Sequence, residues 1–275
     1  MEQVAFIVWR ESVEALLVVG ILYAWLKANS DLGRGGMPFL WGGVAAGLAL
    51  SGALALMLLG VADWLGDEGQ EYFQAGMALV AAALVVQMVV WMKRHGRTLK
   101  RELEQGLSAQ AAQRNYWGML VLVMIAVARE GSETVVFLYG TVAGSDNHAS
   151  LLLAGIGGFV AALATFYVLQ LGGRWLSWRV FFRVTEILLL LLAGALLNAG
   201  IDRLIGMGTL PAGIDQLWDS SGLLDESYGL GKILADFAGY RSHPALTLLL
   251  VWLGYWVVTT LLLKRAGKSG VVAKA

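Results

Sequence analysis

The chain has 275 residues, 58% of them hydrophobic and 15% charged, with a mean hydropathy of +0.67. Soluble domains are rarely so apolar, and several runs exceed the ~18 residues that suggest a membrane span. Twenty Lys and Arg balance twenty Asp and Glu, and the lack of cysteine removes disulfides and thiolate metal sites.

The first apolar run, Val4 to about Leu26, contains Arg10-Glu11-Ser12-Val13-Glu14. Glu2 and the three charges within the run are unlike a secretory leader, so it reads as a retained first helix. Further spans are expected near Pro38–Ala62, Tyr72–Met92, Trp117–Gly140, Leu151–Gly172, Phe182–Leu204 and Pro244–Leu263. The second and fifth carry Gly42, Gly43, Gly47, Gly52 and Gly155, Gly157, Gly158 with Ala161 and Ala162. Such small residues let helices approach closely, and tight packing explains them without chemistry. Ahead of the third span lie Asp63, Asp67, Glu68 and Glu71 with no basic residue among them. They read either as a solvated loop or as a vestibule that concentrates cations, with Gln74 adding a carbonyl oxygen near the entrance. The connection from Lys93 to Asn115 is basic and suits anionic lipid headgroups rather than nucleic acid.

The fourth span holds Arg129-Glu130-Gly131-Ser132-Glu133, the same pattern 119 positions later. Residues three apart share a helix face, so Glu11 projects with Glu14, and Glu130 with Glu133. Arg10 with Glu14, and Arg129 with Glu133, have the four-residue spacing of an ion pair. Each charge near the centre of a membrane helix costs about 2.5–3.5 kcal/mol on the insertion scale. Six such charges cost on the order of 15–20 kcal/mol gross, an upper bound before pairing. A structural clasp explains one arginine–glutamate pair. Two copies, each with one carboxylate in excess, call for a cation.

In the sixth span Glu186 sits near Arg179 and Arg183, either paired with them or as an exit-side carboxylate. The long connection after it, about Ile205 to His243, is expected to fold over the outer face, with Trp218, Leu223, Leu224, Ile233, Leu234 and Phe237 spaced as in a surface helix. His95, His148 and His243 show no ligand spacing, and Met77, Met88 and Met92 read as packing.

Taking the first connection as cytoplasmic places 15 of the 20 Lys and Arg residues inside, so the amino terminus is expected outside and the carboxyl terminus in the cytoplasm. The fold expected is an all-α integral membrane protein of seven transmembrane helices, a 3+3 inverted repeat plus a seventh helix. Residues 1–93 and 117–204 form the two repeats within a single membrane domain. Residues 94–116 are the cytoplasmic basic connection, 205–243 the extracytoplasmic connection, and 244–275 the last helix and its tail. Inverted repeats usually place substrate at their interface near the midplane, and both motifs are expected about 10–16 Å deep, from the outer half toward the middle.

With a doubled R-E-x-x-E in the first and fourth of seven helices, the chain resembles the oxidase-dependent iron permease family. Trp218-Asp219-Ser220-Ser221-Gly222-Leu223 and Gly239-Tyr240-Arg241-Ser242-His243-Pro244 add to the likeness. Two departures are Gln74, where members often have glutamate, and Glu186, where many have a small residue. The resemblance implies a permease rather than an enzyme, in the plasma membrane (a bacterial inner membrane). It implies ferric iron as transported substrate with no permanently bound cofactor, and an extracytoplasmic iron oxidase or iron-binding delivery protein as partner. Glu11, Glu14, Glu130 and Glu133 would then be the metal-binding carboxylates, and Arg10 and Arg129 their gating ion-pair partners. Asp67, Glu68, Glu71, Gln74 and Glu186 would lie toward the ends of the path. The residues alone specify only a multivalent, oxygen-liganded cation. Lead or manganese transport, or proton-coupled carriage of an organic solute, fits them as well.

Overall fold

The computed structural model describes residues 1–28, 30–95, 105, 116–142, 147–170 and 178–272. The expected basic connection lies almost wholly outside them, as do the side chains of His95 and His148. Among the described residues the fold is all helical. Its elements are α1 (Glu2–Ala28), α2 (Ser30–Trp64), α3 (Gly66–His95), α4 (Tyr116–Val142), α5 (His148–Gln170), α6 (Trp178–Gly206), α7 (Gly229–Ala238) and α8 (Leu246–Val272).

Among the described residues five helices are long and apolar enough to cross a membrane, with apolar stretches Gly35–Trp64, Gly66–Arg94, Ala149–Gln170, Val180–Gly206 and Leu246–Ala266. α1 and α4 have 27 residues each, ~40 Å at 1.5 Å per residue, and each carries three motif charges in its apolar middle. Large apolar side chains such as Leu56, Met57, Leu152 and Leu153 point outward. On a water-soluble protein such belts would drive aggregation; against lipid chains they cost nothing.

The chain forms two compact units. The first contains α1, most of α2 and α4, and α5. Its core joins Val18, Leu22 and Leu26 of α1 to Leu40 of α2 and Met119, Val123 and Val127 of α4. Two glycine contacts set its geometry. A side chain at Gly47 of α2 would meet Met124 O at 2.9 Å and Ala128 N at 3.0 Å on α4. One at Gly158 of α5 would collide with Ala5 O and approach Trp9 N on α1. Met124 and Ala128 stand 119 positions after Ala5 and Trp9, the same interval that separates the two motifs. Each motif helix is therefore touched at the same place, just before its arginine, by a glycine from the helix that follows the other motif. Gly52, Gly155 and Gly157 touch nothing within 4 Å, so close packing accounts for only part of the small-residue set.

The second unit contains α3, the end of α4, α6, α7 and α8. Here Gly200 of α6 meets Leu79 and the Ala75 carbonyl of α3. In the connection before α8, Ile233, Leu234 and Phe237 fall in a helix as their spacing suggested, but only residues 229–238 are helical: Leu223 lies in a turn and Trp218 and Leu224 in irregular backbone. α7 ends at Gly239 (φ +70°), where a Cβ would stand 3.1 Å from Ala195 Cα. Asn198 Nδ2 donates to Gly239 O at 3.0 Å and Trp252 Nε1 to Ala238 O at 3.2 Å, so α6 and α8 satisfy the carbonyls that the helix end leaves open. The two stretches flagged at 218–223 and 239–244 are tied together. Ser220 N donates to Ser242 O (3.0 Å), Ser220 Oγ meets Tyr240 Oη (2.6 Å), and His243 Nε2 lies 3.1 Å from Asp219 Oδ1.

Gly47→Val and Gly158→Val should each destabilise the protein by about 1–3 kcal/mol or more, because a branched side chain would be driven into backbone. Gly155→Val, with open space around it, should leave the melting temperature in detergent unchanged. Equal melting temperatures for all three would contradict the close-approach geometry.

Candidate metal centre

Both motifs enter the interior through ordinary helix periodicity. The buried stripe of α1 runs Val4, Ile7, Glu11, Val18, Leu22, and that of α4 runs Met119, Val123, Val127, Glu130, Phe137. Glu11 and Glu130 thus occupy positions where an apolar side chain would otherwise sit. Arg10 and Glu11 are each 1% exposed and Glu130 8%. Charges so deep persist only when other charges or polar groups answer them.

The answers differ between the two copies. Arg10 Nη1 donates to both oxygens of Glu11 at 2.8 Å, while its Nη2 lies 2.5 Å from Glu14 Oε1. Arg129 is 39% exposed, and its Nε donates to Glu133 Oε1 at 3.1 Å. Ser132 Oγ donates to Arg129 O and Thr134 Oγ1 to Glu130 O, holding the helix turns that carry these groups. One oxygen from each of Glu11, Glu14 and Glu130 lies within 4.8 Å of the others. Glu133 acts electrostatically on Glu11 and Glu14, Arg10 on Glu130, and Arg129 on Glu14, so the two copies share one field. Glu130 Oε2 and Glu133 Oε2 are buried without a hydrogen-bond partner among the described residues. An octahedral ion with metal–oxygen distances of about 2 Å spaces its oxygens ~3–4 Å apart. Side-chain rotations of about 1 Å would therefore gather this donor set around one ion.

The i,i+4 spacing foreshadowed the Arg10–Glu14 and Arg129–Glu133 pairs. The Arg10–Glu11 bond escaped it, since adjacent residues on a helix do not normally face each other. The long guanidinium turns back to reach Glu11. Two neighbours were also invisible in the sequence. Trp9 Nε1 donates to Thr165 Oγ1 at 2.9 Å, fixing the ring beside Arg10 onto α5. Ser51 of α2 fills the space above Gly131, where a Cβ would collide with its Oγ. The remaining expected site residues belong to the second unit. Asp67, Glu68 and Glu71 are exposed at the start of α3. Gln74 Oε1 accepts from Arg203 Nη1 at 2.7 Å, so its oxygen is already engaged. Glu186 is half-buried within the field of Lys93 and Arg183.

The described site is a cluster of carboxylates that could hold a cation, in a chain with membrane-spanning helices. The iron permease FTR1 family model matches residues 1–267, and the chain belongs to that family. It is similar to the ferrous iron permease EfeU of Escherichia coli O6:K15:H31 (strain 536), at 28% identity over 268 residues covering 96% of each chain. EfeU of Shigella sonnei is 27% identical over 269 residues, covering 97% of this chain and 96% of the relative. For EfeU of Yersinia pestis the identity is 27% over 259 residues, covering 93% and 90%. No solved structure matches the chain.

The Ser51–Gly131 contact yields a reciprocal test. Ser12 stands where Gly131 does in the other copy, and Ala162 follows Gly158 by four residues as Ser51 follows Gly47. Gly131→Ser should cost about 1–3 kcal/mol by overpacking, and adding Ser51→Ala should recover only part of it, since the Cβ of residue 51 would still stand 2.8 Å from the new Cβ. A neutral Gly131→Ser in thermal melts would contradict the packing described.

Proposed function

We propose that this protein is an uptake permease that passes iron across the plasma membrane through Glu11, Glu14, Glu130 and Glu133. The observation that carries the reading is the convergence of carboxylates from two separate motif helices, with oxygens still lacking partners. Carboxylate oxygen is a hard donor, suited to iron, manganese or magnesium rather than copper(I).

Seven crossings arranged as a 3+3 inverted repeat with a final helix form part of the proposal, with 1–93 and 117–204 as repeats of one membrane domain. The equivalent glycine contacts on α1 and α4 support it. So does helix direction. Contacts advance together along α2 and α4, from Gly36 at Met119 to Gly47 at Met124 and Ala128, and along α1 and α5, from Ala5 at Gly158 to Gly20 at Phe166. Each of these pairs therefore runs parallel, as alternating crossings require. The lysine and arginine asymmetry supports an amino terminus outside.

Four glutamates against two arginines leave the ionised cluster at about minus two. Fe(II) neutralises that charge and Fe(III) exceeds it by one, so the ionic sum favours the ferrous ion, the form in the names of the relatives. Ferric iron remains the second reading, favoured by the hardness of an all-carboxylate donor set. An extracytoplasmic oxidase or iron-binding delivery protein stays in the proposal on the strength of the family resemblance. Asp67, Glu68 and Glu71, exposed beside one another, suit a cation-concentrating entrance.

Proteoliposomes holding the purified protein should take up radio-iron, with ferrous and ferric arms run separately and manganese and lead as competitors. Glu14→Ala and Glu133→Ala should each reduce uptake by at least about tenfold, or 1.4 kcal/mol, while expression persists. Full uptake in either variant would sink the four-carboxylate path. Preferred uptake of manganese or lead would replace iron as the substrate.

A further inference from the structure

The two motif copies have the same sequence pattern but rest in different states. In α1 one guanidinium, 1% exposed, serves both carboxylates of its copy. In α4 the arginine is 39% exposed and bonded to Glu133, while Glu130 turns toward Glu11 and Glu14. Among the described residues Glu14 Oε1, Glu130 Oε2 and Glu133 Oε2 are buried carboxylate oxygens without a hydrogen bond, but of the three only Glu14 Oε1 stands in ion-pair contact with a guanidinium, that of Arg10. By contrast, both Glu11 oxygens and Glu14 Oε1 already face Arg10.

We propose that the ion is loaded in sequence: Glu130 and Glu133 take it first, and Arg10 is a resident cation that Glu11 and Glu14 exchange for it afterwards. This rests on the reading of the four glutamates as the ion path. Arg10 holds the place of a metal, a single positive charge chelated by two carboxylates in a site closed to water. Glu130 needs no exchange before it ligates. Once a divalent ion sits there, within a few ångströms of the Glu11–Arg10–Glu14 cluster, its two positive charges compete with the guanidinium for the same oxygens and repel it. Screening is weak at that depth, so the metal itself drives Arg10 away from Glu14. The more exposed Arg129 faces less desolvation when it yields Glu133. The asymmetry makes Arg10 a positioning residue: it keeps half of the donor set withheld until the other half is filled.

The test separates binding from passage in the same variants. Ferrous iron is titrated calorimetrically into detergent-solubilised protein without oxygen, and uptake is followed in proteoliposomes. Glu130→Gln should weaken binding by at least about tenfold, a loss of 1.4 kcal/mol, and abolish uptake. Glu14→Gln should weaken binding clearly less than Glu130→Gln does, because the carboxylates that fill first remain, yet lose uptake by about tenfold or more, or 1.4 kcal/mol. Should Glu130→Gln fail to fold, Glu133→Gln carries the same expectation of weakened binding. Arg10→Lys keeps the charge but loses the double grip, and should bind iron more tightly than the wild type. Binding lost equally in Glu14→Gln and Glu130→Gln, or lost in Glu14→Gln alone, would overturn the order. Unchanged binding and uptake in all the glutamine variants would instead sink the underlying carboxylate path.

Discussion

Everything in the first unit depends on keeping charged groups inside an apolar helix bundle. A buried guanidinium or carboxylate is tolerable only beside its counter-charge, and breaking such a pair costs about 3–5 kcal/mol. Arg10, Glu11 and Glu14 meet that demand within one helix. Glu130 meets it incompletely, because its Oε2 is buried without a hydrogen-bond partner and carboxylates of the other motif stand within 4.8 Å. The protein thus keeps carboxylates in excess of its arginines in a buried place.

The surplus is held in place by backbone approach rather than by polar bonds. Gly47 and Gly158 let α2 and α5 ride directly on the turns that precede the two arginines. Without large side chains at these contacts, the motif turns cannot drift apart by even one methylene without losing packing. The apolar stripes on α1 and α4 then aim Glu11 and Glu130 inward by the same periodicity that aims the valines and leucines. Fold and site share one geometric origin, which is why substitutions at glycines remote from the chemistry report on it.

Much of this was legible from residue order. The repeated pattern announced itself through charges in apolar runs, the one place where a sequence reading gains power from breaking its own rule. Helix positions followed from hydropathy, and the i,i+4 pairs from helix spacing. What stayed hidden depended on side-chain direction. The turn of Arg10 back to Glu11 requires knowing what surrounds it, and the capture of Gln74 by Arg203 joins residues 129 positions apart. The equivalence of Gly47 and Gly158 is masked because they are offset by 111 positions while the motifs are offset by 119. Trp218, Leu223 and Leu224 mimicked a surface helix, yet tertiary bonds from Tyr240, Ser242 and His243 hold that stretch in a non-helical path. The family match gives the chemistry a cargo, and the carboxylate cluster is the path proposed for it.

The most direct test of that path is to see the ion. Crystals of the protein grown with iron, measured above and below the iron absorption edge, should show an anomalous peak within about 2.5 Å of carboxylate oxygens of Glu130 and its motif neighbours. An iron peak confined to the exposed acidic residues at the start of α3, with none at the buried glutamates, would contradict the central claim.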